Sequence, residues 1–524
     1  MHTPLERILA AGSGSRRDFL RHSAKLTAAV SLGGLPGMRG DRGFRAASYP
    51  FTLGVASGDP LPDGVVLWTR LAPDPMAGGG MPSTRVTVRW EVARDESFRV
   101  IARSGSTVAT PELAHSVHAD VRGLEPGRPY WYRFLAGDEV SPVGRTFTAP
   151  PAGSSPERLR FAFVSCQNYQ QGLFTALSHL ADEELELVLH LGDYIYEGGV
   201  TADAVRSHDG PPIETLHAYR GRYALYKADP ELQKAHAAFP FVVTWDDHEV
   251  VNNYASDYVR GSAIEAFLAR RAAAYQAYYE HMPLREPAVP RGADLQLFRR
   301  IGYGDLAAFH VLDTRQYRSA HSCRDGWHAD CAEARDPGQT MLGARQRAWL
   351  ESGLVTSRAR WNVLAHQVPL APTGRPGDGG LQQSMDKWAG YVVERDALLR
   401  LLHEAPVRNP ISIVGDVHQN WLSDLKTDYA REGAPIVGTE FVGTSISSGG
   451  DGVDARPRTS EPWMAANPHV RFNNSQRGYV RCTVTPERWV ADFRVVPYVT
   501  RPGAPIGTRA SFVVEEGRRG VREV

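Results

Sequence analysis

Four short apolar runs, each breaking off at residues that can bind a metal, constrain this chain more than any other feature. They are Phe161 to Val164 before Ser165 and Cys166, Leu185 to Leu191 before Gly192 and Asp193, Phe241 to Trp245 before Asp246, Asp247 and His248, and Ile411 to Val414 before Gly415, Asp416, Val417 and His418. Such runs read as strands buried on both faces, and layered α/β or αββα folds present reactive groups where these strands end. Between them, residues 172–180, 261–279 and 344–354 repeat apolar side chains at helical spacing. The pattern predicts an α/β fold with its chemistry at the strand ends.

Taken singly, each motif has an ordinary reading: Gly-Asp is common turn chemistry, and a loop Asp or His is often solvated or caps a helix. Three such motifs after separate strands argue against that. Asp193 can bridge two cations with its two oxygens, and the Tyr196 phenol three residues on is a hard, basic ligand suited to ferric iron. Asp246, Asp247, His248 and Glu249 crowd three carboxylates and an imidazole into four consecutive positions, which is costly unless a cation neutralises them. Asp416 and His418 point the same way if the chain is extended there. A lone Cys166 would be a buried thiol, but its equivalent strand end favours a metal-stabilised thiolate. His366, after Val363 to Ala365, stands between a second-site ligand or neighbour and a core histidine.

A chain of 524 residues has room for two or three domains. From Phe51 to about Pro151, alternating strand-like runs with aromatics and turn dipeptides read as a small β-sandwich of immunoglobulin or fibronectin-III type, and Pro150 to Pro156 is a linker by composition. Pro372 to Gly380 reads as a mobile loop. Arg16 and Arg17 precede a weakly apolar run, Leu26 to Leu35, too short to span a bilayer. This resembles a twin-arginine export signal, which implies the twin-arginine translocation machinery as partner and a periplasmic or secreted, soluble mature protein. In that oxidising compartment Cys323 and Cys331 suit a local disulfide, while Cys482 reads as a buried apolar residue. Lys plus Arg equals Asp plus Glu at 59 each, so no net field favours nucleic acid or an anionic membrane. No oligomeric interface stands out, and a monomer is expected.

Taken together, these residues resemble the PhoD-like alkaline phosphatases and phosphodiesterases, related to the purple acid phosphatases among the calcineurin-like metallophosphoesterases. The resemblance runs through Phe51 to Pro60, Ser165-Cys166, Gly192 to Tyr196, Trp245 to Glu249, Leu312 to Arg318 and Gly415 to His418. It implies a four-layer αββα metallophosphoesterase sandwich preceded by a small all-β domain. The expected boundaries are a signal over 1–47, the β-sandwich over 48–150, the catalytic domain over 157–507 and a tail over 508–524. It also implies that Cys166, Asp193, Tyr196 and His418 hold Fe3+, with Asp193 bridging. Asp247, Asp416 and Asn252 would serve a Ca2+ site, whose oxygen ligands suit that ion. His248 would donate a proton to the leaving group or contact phosphate.

The expected reaction is in-line attack on a phosphoester by a metal-activated water, serving phosphate scavenging outside the cytoplasm. Arg220, Arg222 and Arg315 are candidate contacts for a non-bridging oxygen. Two other readings are weighed. A phospholipase D acting on phospholipid diesters would use the same site. An exported, metal-stabilised binding protein would be non-catalytic, but structural sites usually saturate their metal, whereas this donor set is unequal around a bridge.

Overall fold

The computed structural model describes residues 48–454 and 460–523, so the export segment expected over 1–47 lies outside the described residues. The fold is mixed α/β with several sheets and an all-β region near the N-terminus.

Three of the four apolar runs become parallel neighbours in a ten-stranded sheet: Leu159–Val164, Leu187–His190 and Pro240–Val243. The fourth, Pro410–Val414, lies in a seven-stranded sheet, parallel to Trp361–Ala365 and Ile436–Val442. The alternation of each strand decides its partners. Phe161, Phe163, Leu187 and Leu189 from the first sheet meet Phe309, Val363, Ile411 and Phe441 from the second in one buried cluster. The opposite face of the first sheet, with Ala162, Val164 and Val188, packs on the helices Thr175–Ala181, Leu216–Lys227 and Ile264–His281. Leu364, Leu425 and Val437 of the second sheet cover Gly343–Val355 and Val392–Glu404. The three stretches with helical spacing are therefore helices, because their apolar stripes have a sheet face to cover.

One boundary read from the sequence, that of the final segment, is corrected. Residues 48–150 form two facing sheets around Val65, Val88, Val121 and Phe134, and one strand of them joins the large sheet. Val55–Leu61 runs parallel to Pro240–Val243 in the ten-stranded sheet and brings Gly64–Arg70 and Ser116–Arg122 with it. A Cβ at Gly58 would stand 2.6 Å from the Phe241 carbonyl oxygen, so glycine permits that close approach. The segment after residue 507 is not a tail. Gly507–Glu515 pairs with Arg488–Val496, and Ala510, Phe512 and Val514 alternate into the core between the two large sheets.

The Pro372 to Gly380 region is a hairpin, Arg375–Gly377 with Gly380–Ser384. Cys323 and Cys331 are bonded, whereas Cys166 and Cys482 are free and buried. Among the described residues no helix is long and apolar enough to cross a membrane.

Candidate metal centre

Strands from two sheets end at one place, and the backbone there turns sharply. Cys166 (φ 60°), Asp193 (φ 57°), Asp416 (φ 66°) and His418 (φ 56°) all adopt the left-handed conformation that non-glycine residues avoid. Each costs about 1 kcal/mol or more, and such strain gathers where a site needs it. The turns nest closely: the Cys166 N–H donates to the Gly192 carbonyl at 3.1 Å and the Gln167 N–H to the Asp193 carbonyl at 3.0 Å. A Cβ on Gly192 would meet Asp246 Cβ at 2.5 Å, and one on Gly415 would meet Ser165 Cβ at 2.6 Å. That crowding is why a glycine precedes the aspartate in both motifs.

Two groups of donor atoms result, Cys166 with Asp193 and His418, and Asp193 with Asp247 and His248; within each group the atoms lie within 4.8 Å of one another. Asp193 belongs to both. Tyr196 adds its phenol, donating to Asp193 Oδ2 at 2.7 Å and lying 3.3 Å from His418 Nε2. Asp193 Oδ1 is buried without a hydrogen-bond partner. Burial and then the neighbouring Asp193 carboxylate push the Cys166 thiol and the Tyr196 phenol well above their ordinary values. Burial likewise pushes Asp193 up, with Asp247 and Asp246 adding to it against His248. Burial and Arg477 lower His418 to about 3, which keeps its imidazole neutral and able to ligate. Thiol, phenol, carboxylate and neutral imidazole around an unpartnered oxygen fit a bound cation, whose charge would reverse the cost of ionising them.

His248 sits beside this group with its ring 4.2 Å from that of Tyr196. Its Nδ1 is 2.7 Å from Glu197 Oε2, and Glu197 Oε1 accepts the Asn252 N–H at 2.8 Å. Against burial, Asp193, Asp247 and Glu197 hold the His248 imidazolium well above its usual range. Nδ1 is thereby committed to Glu197, and Nε2 is the nitrogen left to work.

Several sequence expectations change. The crowded carboxylates of 246–249 are compensated by protein, not by a metal alone. Arg315 donates to Asp246 and, at 2.6 Å, to Asp386, with Asp416 at 3.5 Å and Asp247 at 3.7 Å. Against burial, Arg315 and His248 hold Asp247 down to about 2. Glu249 accepts the N–H groups of Asp193, Tyr194 and Asp246 at 3.1, 2.5 and 2.8 Å, and burial pushes its carboxyl up to about 8. It pins two strand ends together. Arg315 is therefore a buried counter-ion rather than an open phosphate contact. Arg220 is paired with Glu280 at 2.5 Å, and Arg222 donates to the carbonyls of Tyr196 and Gly198. Asn252 is exposed and gives the site its backbone N–H. His366 is bonded to Ser412 Oγ at 2.9 Å, which donates to Glu440, so it belongs to a buried network instead.

Glu197, Asp386, Lys387 and Ser448 escaped the sequence reading. Ser448 Oγ lies 2.7 Å from both the Tyr196 hydroxyl and the Cys166 carbonyl. Of these, only Glu197 carried a local signal, standing directly after the Asp193 to Tyr196 motif.

A family model described as PhoD-like phosphatase matches residues 161–493, and one for the N-terminal domain of the same phosphatases matches 38–150. Alkaline phosphatase D of Bacillus subtilis (strain 168) is 51% identical over 520 residues, covering 97% of this chain and 89% of that protein. The solved structure of PhoD is similar at 52% identity and a TM-score of 0.89, covering 94% of this chain and 93% of its own.

Proposed function

The chain belongs to the PhoD-like phosphatase family and is a hydrolase of phosphoric esters, and from that premise we propose that it is an exported, metal-dependent alkaline phosphatase and phosphodiesterase serving phosphate scavenging. The observation that carries the metal dependence is Asp193, shared by two donor groups with one oxygen buried and unpartnered. Cys166, Asp193, Tyr196 and His418 would hold Fe3+, and Asp193, Asp247 and Asp416, with the amide oxygen of Asn252, would hold Ca2+. When bound, the metals supply a Lewis acid and a water activated near neutral pH. The chain's own part is proton management: Glu197 orients His248, whose Nε2 carries the proton that passes to the departing alkoxide oxygen.

Helices outside two facing sheets support reading 157–507 and the final strand as an αββα metallophosphoesterase sandwich. The Tyr130 hydroxyl, which accepts the Glu125 N–H at 2.9 Å, supports an immunoglobulin-like or fibronectin-like reading of the first sandwich. Arg16-Arg17 and the Cys323–Cys331 disulfide support export by the twin-arginine route to the periplasm or medium, and the protein is taken as a monomer.

Metal-replete protein should hydrolyse p-nitrophenyl phosphate and bis-p-nitrophenyl phosphate. Strong preference for phosphatidylcholine in the same assay would move the substrate class to phospholipid diesters. A second expectation concerns colour. Tyrosinate on ferric iron gives a visible charge-transfer band, which Tyr196→Phe should abolish. Finding zinc alone by elemental analysis, with no band, would reject the iron site.

A further inference from the structure

A phosphoryl group carries charge on its non-bridging oxygens throughout displacement, so protein cations facing the substrate add to catalysis. The arginines near the centre are committed elsewhere. Arg315 has no exposed side-chain surface and is shared among carboxylates. Arg222 holds the carbonyls of Tyr196 and Gly198, and Arg477 those of His418 and Gly450.

Lys387 is built differently. Its side chain keeps 19% of its surface open, and its ammonium touches the Asp416 carboxylate, with Asp386 Oδ2 at 3.8 Å. The charges acting on it include Asp386, Arg315, Asp246 and Asp247, those of the centre itself. Its main chain is held on both sides. Asp386 accepts hydrogen bonds from Arg315 and Arg318 at 2.6 and 2.8 Å, and Trp388 is fully buried. A fixed main chain with a flexible four-carbon stem keeps the ammonium beside Asp416 while letting it change partner.

From this geometry we propose that Lys387 is the substrate-facing cation: once a metal ion takes Asp416, the ammonium turns from that carboxylate to a non-bridging oxygen of the phosphoester, and its charge favours dianionic monoesters over monoanionic diesters. The inference rests on phosphoester hydrolysis at this centre. A metal ion and an ammonium repel each other, so Asp416 serves them in turn. No covalent bond to the lysine forms.

The test compares wild type with Lys387→Met, Lys387→Gln and Lys387→Arg on p-nitrophenyl phosphate and bis-p-nitrophenyl phosphate, with bound metal measured in each. Removing the charge should lower kcat/KM about 100-fold for the monoester and about 10-fold or less for the diester. Arginine should restore most of the monoester rate. In metal-stripped protein, Ca2+ titrated calorimetrically should bind roughly 3-fold to 10-fold tighter to Lys387→Met or Lys387→Gln than to wild type, because no ammonium competes for Asp416. Equal losses on both esters, no loss on either, or unchanged Ca2+ affinity would overturn the assignment. Inactivity of wild type on both esters would instead strike the functional reading, since the Ca2+ measurement needs no turnover. Using both neutral variants keeps the result from hanging on the folding of one.

Discussion

Asp193→Asn is expected to lower kcat/KM for p-nitrophenyl phosphate by on the order of 10³-fold while leaving the fold intact. The substitution keeps the side chain's shape and one oxygen, and removes the charge that both donor groups share. Its effect therefore falls on metal retention and turnover together. Bound metal should drop in elemental analysis, and circular dichroism should be unchanged, because Asp193 Oδ1 has no protein partner to lose. Activity within a few fold of wild type would remove Asp193 from the centre. Full metal content with lost activity would instead make it a group acting on substrate rather than a bridge.

Arg315→Met should be the largest stability effect, a loss of about 3–5 kcal/mol at neutral pH in metal-stripped protein, read from urea unfolding. The variant leaves Asp246 buried without its main counter-ion, leaves Asp386 with Arg318 alone of its two arginines, and removes the guanidinium 3.7 Å from Asp247 and 3.5 Å from Asp416, which keep His248 and Lys387. The pH dependence follows from the direction of the shifts. Arg315 holds Asp247 at about 2, below its ordinary 3.8, and holds Asp386 well below it. A carboxylate with a depressed folded pKa contributes stability above its unfolded pKa and loses it as pH falls through the folded one. The gap between wild type and variant should thus be widest at neutral pH and narrow as pH falls from about 4 toward about 2. An unchanged urea midpoint at pH 7 would show that the four carboxylates are satisfied without the arginine.

Much of the centre was legible in the chain because its donors follow strands whose apolar runs announce them. Cys166, Asp193, Asp247, Asp416 and His418 come just after such runs, and strand ends gather at one edge in a layered fold. His248 was equally visible, as were the glycines before Asp193 and Asp416, although the crowding that demands them was not. What local reading misplaced were groups whose role depends on a distant partner. Arg220, Arg222 and Arg315 look alike as isolated arginines and differ only in what faces them: Glu280, a pair of carbonyls, and a ring of carboxylates. His366 also follows an apolar run, yet Ser412 and Glu440 capture it.

The fold shows the same division. Period-two alternation marked the strands of the first hundred residues, but nothing in it says that Val55–Leu61 will pair with Pro240–Val243. Ala510, Phe512 and Val514 alternate as clearly as any core strand, and only the open edge of Arg488–Val496 makes a strand of what composition presented as a tail.

The sequence by itself determined where strands end and which donors stand there, since both follow from neighbours along the chain. Only the tertiary structure decided which charges neutralise which, that Glu249 pins two turns, that Asp386 anchors Arg315 and that Lys387 meets Asp416. Electrostatic compensation acts through space over a few ångströms, and those distances arise when two separate sheets bring residues 193, 247, 315, 387 and 416 together.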